Sequence, residues 1–82
     1  MNVKIIASHG CKHRQLIERE FQDLGIAYEV LYVEEHPEVV ARHDIRHSPN
    51  IMVDEEVVFR RQPSEGELRA FFDNHGWPRS DD

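Results

Sequence analysis

Eighty-two residues suffice for one domain with a modest core, and 39% apolar against 32% charged residues marks a soluble globular chain rather than a disordered one. Sixteen acids against ten bases leave a net charge of −6, which argues against a nucleic-acid-binding face and against an anionic membrane surface. A single cysteine excludes any disulfide within the chain.

The first expected element is a strand over residues 2–8. Val3, Ile5, Ile6 and Ala7 form a nearly continuous apolar run, as suits a strand covered on both faces. Ser8-His9-Gly10-Cys11 then turns the chain. His13–Leu24 reads as a helix, with Ile17, Phe21 and Leu24 at i, i+4 and i+7, Leu16 widening the stripe and Gly25 as the expected stop. A second strand is expected over residues 26–33, where Tyr28, Val30 and Tyr32 alternate with Ala27, Glu29 and Leu31. Pro37 suits the first position of a short helix whose buried side is Val39, Val40 and Ile45. Strand, helix and strand in this order imply a parallel, right-handed crossover.

Pro49 opens a third strand over residues 50–54, and a fourth follows over residues 56–60. Between them stands Asp54-Glu55; neither is glycine, so a clean two-residue hairpin is not guaranteed. Ser64 and Glu67 form a capping box for the last helix. Leu68, Phe71, Phe72 and His75 follow at i, i+3, i+4 and i+7, and Gly76 ends the helix. Residues 77–82 are a short polar tail carrying Trp77, so the expected division is a domain over residues 1–76 and a tail. Phe21, Tyr28, Tyr32, Phe71 and Phe72 are expected in the core. The order predicts an α/β sandwich of three layers around a four-stranded mixed sheet.

Cys11 is the residue best suited to chemistry. It follows a turn at or near the first turn of a helix, where unpaired N–H groups and the dipole favour a thiolate. Lys12, His13 and Arg14 add positive charge beside it and are read as tuning the thiol. A buried cysteine acting only as a small apolar residue is the bland alternative. His9 and His13 flank Cys11, and His47 precedes Pro49, so a metal site of Cys11, His13 and His47 is conceivable. Solvated histidines are the simpler reading, because no CxxC-type clamp is present.

A cysteine after the first strand and a proline opening the third resemble the thioredoxin fold in its minimal, glutaredoxin-like form. The spacing from Cys11 to Gly25-Ile26, the Ser48-Pro49 pair, and Val57-Val58-Phe59-Arg60 followed by Gln62-Pro63-Ser64 and Glu67-Leu68 carry the resemblance over residues 2–75. It implies a cis peptide bond before Pro49, and a Ser48-Pro49 backbone that binds an extended substrate beside the sulfur. It also marks the departures. Where the family has Cys-x-x-Cys, this chain has Cys11-Lys12-His13-Arg14, with Arg14 in the resolving position. The Cys-Gly-Phe-Ser motif of monothiol glutaredoxins is absent, as are the lysine before the cysteine and the Gly-Gly and Asp near the last helix that serve glutathione. Lys12, Arg14, Arg60 and Arg61 are the cations left to bind glutathione's carboxylates in another way.

The reading that follows is a monothiol thiol–disulfide oxidoreductase. Cys11 would form mixed disulfides with glutathione or protein thiols, glutathione would serve as a co-substrate, and no resident cofactor or metal is expected. An N-terminus without signal-peptide features and a free thiol set the expectation of a reducing, cytoplasmic compartment, with no nucleic-acid or membrane partner and a monomeric state. A binding module that keeps the fold without turnover is the alternative. Metal or iron–sulfur binding through Cys11, across a dimer, is a weaker one.

Overall fold

The computed structural model describes residues 2–74. The expectations for His75, Gly76 and the Trp77-bearing tail lie outside the described residues.

Four strands and three helices follow the expected order: β1 (Val3–Ala7), α1 (His13–Leu24), β2 (Glu29–Tyr32), α2 (Pro37–His43), β3 (Asn50–Val53), β4 (Glu56–Phe59) and α3 (Glu65–Asn74). The sheet order is β2-β1-β3-β4. β1 pairs in parallel with β2, with Ile5 opposite Val30, and antiparallel with β3, with Ile5 opposite Ile51. β3 and β4 form an antiparallel hairpin with one irregularity beside Ile51 and Met52.

Alternation along the central strands divides the core in two. Val3, Ile5 and Ala7 of β1 and Ile51 and Val53 of β3 face one side, where they meet Ile17 and Phe21 of α1 and Leu68 and Phe72 of α3. Ile6 and Met52 face the other side, against Ile45 and the half-buried Val39 and Val40 of α2. Helices therefore cover both faces, which makes the three layers and explains the unbroken apolar run of β1.

Local chemistry sets the element ends. Gly25 stops α1 in the left-handed region at φ 71°, a conformation that costs a residue with a Cβ and not glycine. Its N–H reaches the Gln22 carbonyl at 3.2 Å and the Ile26 N–H reaches that of Phe21 at 2.9 Å, a Schellman closure. Pro37 occupies the start of α2. The capping box of α3 is reciprocal: the Glu67 N–H donates to Ser64 Oγ at 3.1 Å, and the Ser64 N–H to Glu67 Oε1 at 3.0 Å.

Several expectations are corrected. Leu16 does not widen the buried stripe; it is 51% exposed. It lies a full 100° round the helix from Ile17, which α1 turns into the core. β2 is shorter than expected, because Ile26 through Tyr28 lead into the sheet without pairing to it. Asp54 and Glu55 do close a two-residue hairpin, with φ of 51° and 69°, the pair of positive angles that a type I′ turn requires. Asp54 Oδ1 accepts from the Asn2 N–H at 2.8 Å, and Glu55 pairs with Lys4 at 2.9 Å, so two contacts hold a turn that usually takes glycine.

Candidate functional site around Cys11

The turn between β1 and α1 carries Cys11. The Cys11 N–H donates to the Ser8 carbonyl at 3.1 Å, closing a turn over His9 and Gly10. The thiol is free and half-buried, packed against the core between the sheet and α1. Cys11 stands two residues before the first helical residue, His13, and Lys12 caps the helix without a side-chain hydrogen bond. The sulfur is thus just outside the first turn rather than within it.

Ser8 joins this turn to the loop before β3. Its N–H donates to Ser48 Oγ at 3.1 Å while its carbonyl holds Cys11. The Ser48-Pro49 peptide bond is cis, and Pro49 is buried. Because Ile6 sits opposite Asn50, the antiparallel register brings Ser48 and Pro49 to the same end of the sheet as Ser8. Asn50, 1% exposed, anchors the loop: its Nδ2 donates to the carbonyls of His47 and, at 3.4 Å, Ile6. Sequence reading missed this residue. The available signal is an amide side chain at the head of an otherwise apolar strand, which must find partners if buried.

Charged and aromatic side chains brace the turn from the β2 side. The His9 N–H faces both Glu34 carboxylate oxygens at 3.2 Å, and His9 Nε2 meets Glu35 at 2.7 Å. Its ring stacks on Tyr32, centroids 3.8 Å apart. The Arg14 guanidinium lies 5.7 Å from the centre of the same Tyr32 ring and bonds the Glu18 carboxylate one turn along α1. Glu18 also accepts from the Tyr28 hydroxyl at 2.9 Å. Burial pushes the Tyr28 phenol above its ordinary value, the Glu18 carboxylate adds to the rise, and the hydrogen bond from Gln22 opposes it.

Tyr32 is therefore not a core residue, in contrast to Phe21 and Phe72; Tyr28 and Phe71 pack on the core from its edge. His9 is solvent-exposed, its side chain 51% accessible, and still meets Glu35 and Tyr32. Lys12 and His13 are exposed. Arg14 is directed to Glu18 and Tyr32, and among the described residues the Cys11 thiol has no hydrogen-bond partner. No group of three His, Cys, Asp or Glu side chains among the described residues could hold a metal ion, so Cys11, His13 and His47 do not assemble as one. No helix there is long and apolar enough to cross a membrane.

A partly exposed cysteine after β1, joined through Ser8 to a cis-proline loop before β3, fits what comparison with known families returns: a model described as a thioredoxin domain matches residues 1–73. The chain belongs to the thioredoxin-domain family. A search of curated proteins finds no match. Against the family's usual pair of cysteines, this thioredoxin domain has only Cys11.

Proposed function

We propose that this thioredoxin domain is a small monothiol, glutaredoxin-like thiol–disulfide exchange protein of a reducing, cytoplasmic compartment. The carrying observation is a lone, partly exposed thiol in a turn tied through Ser8 to the cis-proline loop. The Cys11 thiolate attacks one sulfur of a disulfide; the new Cys11–sulfur bond forms as the old bond breaks, and the other sulfur leaves as a thiolate that takes up a proton. A second, external thiol such as glutathione attacks the bound group's sulfur in the mixed disulfide, carries that group away as a new disulfide and releases Cys11 as a thiolate. That external thiol is the net reductant, since Arg14 in the resolving position supplies no sulfur. The Ser48 and Pro49 backbone aligns the substrate chain, while the exposed Lys12 supplies positive charge near the turn that carries the reacting sulfur.

Intact-mass analysis after incubation with oxidised glutathione tests this reading. The expected result is one glutathionyl group per chain, absent from Cys11→Ser and removed by excess reduced glutathione. A folded chain that takes up no adduct, under conditions where the denatured chain does, sinks it. The second reading, a binding module without turnover, draws on the engagement of Arg14 by Glu18 and Tyr32 rather than by the thiol. It predicts that Cys11→Ser binds its partner unchanged.

A further inference from the structure

His9 lies inside the turn that carries Cys11, yet a distant stretch of the chain holds it. Its backbone N–H faces both Glu34 carboxylate oxygens at 3.2 Å, and its Nε2 meets Glu35 Oε2 at 2.7 Å. Its ring stacks on Tyr32, with centroids 3.8 Å apart and planes 11° from parallel. The Cys11 N–H closes the same turn on the Ser8 carbonyl, and only Gly10 separates His9 from the cysteine. Residues 32–35, at the end of β2, thus clasp the turn through His9.

Two of these three contacts respond to the charge on the imidazole. A neutral ring gives Glu35 an ordinary hydrogen bond from its Nε2–H tautomer. A protonated ring makes that bond an ion pair and adds attraction to the Tyr32 face. Glu34 brings a second carboxylate to the same residue. The Arg14 guanidinium, 5.7 Å from the centre of the Tyr32 ring, opposes a second cation there. Lys12 and His13 lie beyond Cys11 and are exposed; the proline loop meets the turn through the uncharged Ser48, with His47 next to it in sequence. Because Glu35 offsets an imidazolium at 2.7 Å, protonation changes the hold on the turn more than the field at the half-buried sulfur.

We propose that His9 is a positioning residue for Cys11 and makes the site pH-sensitive: protonated, it tightens the clasp and keeps the thiol against the core; neutral, it lets the turn open to a disulfide partner. The proposal rests on the exchange reading of Cys11, but it is tested without exchange. The probe is iodoacetamide, an uncharged alkylating reagent, applied to the full chain between about pH 5 and 8, the range in which imidazoles titrate. His9→Gln is the reference, since its amide can still donate to Glu35 and does not titrate. The thiol's own ionisation is common to both chains and drops out of the ratio of their rates.

The two chains are expected to react alike near the top of that range. Near its bottom wild type is slower by roughly two- to fivefold, the size that an exposed ion pair allows. Glu35→Gln, which keeps the imidazole, removes most of this pH dependence and decides the matter should His9→Gln disturb the fold. Nitrogen-15 and ring-carbon NMR supply a signature that a merely structural role lacks. The Gly10 and Cys11 amides shift with the midpoint of the His9 ring in wild type, still do so in His13→Gln, and cease to in His9→Gln. A ratio that does not change with pH, amides that do not follow the His9 ring, or shifts that vanish in His13→Gln or persist in His9→Gln overturn the proposal. A glutathione adduct on wild type together with a flat ratio keeps the exchange reading and sinks the clasp; a pH-dependent ratio without an adduct does the reverse.

Discussion

Asn50 shows how one polar side chain can hold a site in shape. It is 1% exposed, and its amide nitrogen serves two carbonyls, one in the proline loop and one in β1. Asn50→Ala removes the donor and strands both acceptors, at a cost of about 1–3 kcal/mol. Asn50→Asp costs more, because it sets carboxylate oxygens against the same carbonyls. Urea unfolding of the two variants checks both the size and the order. Arg14 and Glu18 form a second, unequal pair. The Arg14 side chain is 18% exposed and its Nε is buried without a partner, whereas Glu18 has Tyr28 as well as Arg14. Removing the acid therefore leaves a largely buried cation with one partner fewer, while removing the arginine leaves the acid still bonded. Glu18→Ala is expected to lose about 1–3 kcal/mol. Arg14→Met, which keeps the apolar stem beside Tyr32, loses less.

The hairpin and α3 depend on their ends. Glu55 sits at φ 69° on an exposed turn. A β-branched side chain is strained there whatever its strand propensity, so Glu55→Val is expected to cost roughly 1–2 kcal/mol. Glu55→Gly relieves that strain but loses the pair to Lys4, whose side chain is only 17% exposed, and is expected to fall between wild type and Glu55→Val in stability. Comparing the two by chemical denaturation separates backbone strain from a lost ion pair. At the start of α3, the Arg61 guanidinium, and then the Ser64 backbone N–H, hold the Glu67 carboxyl down from 4.5 to about 2. A depressed carboxyl stabilises the fold at pH values above its unfolded pKa, and that stabilisation is lost as pH falls toward the folded one. The stability difference between wild type and Glu67→Gln should thus be complete above about pH 4.5 and shrink steadily toward pH 2. A gap that stays constant across pH 5 to 3 in thermal melts would show that the capping geometry, and not the charge, carries the effect.

Across the whole molecule, what the chain discloses in advance follows from how local each determinant is. The bounds of α1 were legible because an apolar stripe and Gly25 act within one helix. The α3 cap was legible because Ser64 and Glu67 meet across three residues. Pro49 was legible only through family resemblance. Tyr32 was not legible as a brace. It alternates with Tyr28 as core residues do, but it lies further along β2, where the helix overhead has run out to its first turn and offers Arg14 instead of Phe21. Arg60 was legible only as a free cation: the sheet and the Asp44 turn bring Arg46 beside it, and no local pattern joins the two. The same layering sets where the fold gives way first. α1 and α3 share one face and each buries two large apolar side chains, Ile17 with Phe21 and Leu68 with Phe72. α2 covers the other face alone, spans seven residues and buries none of them fully. Opening that side exposes little apolar area, so it requires only a fraction of the global unfolding free energy. Native-state hydrogen exchange should therefore find the α2 amides least protected among the helices, and those of β1 and β3, the two interior strands, most protected.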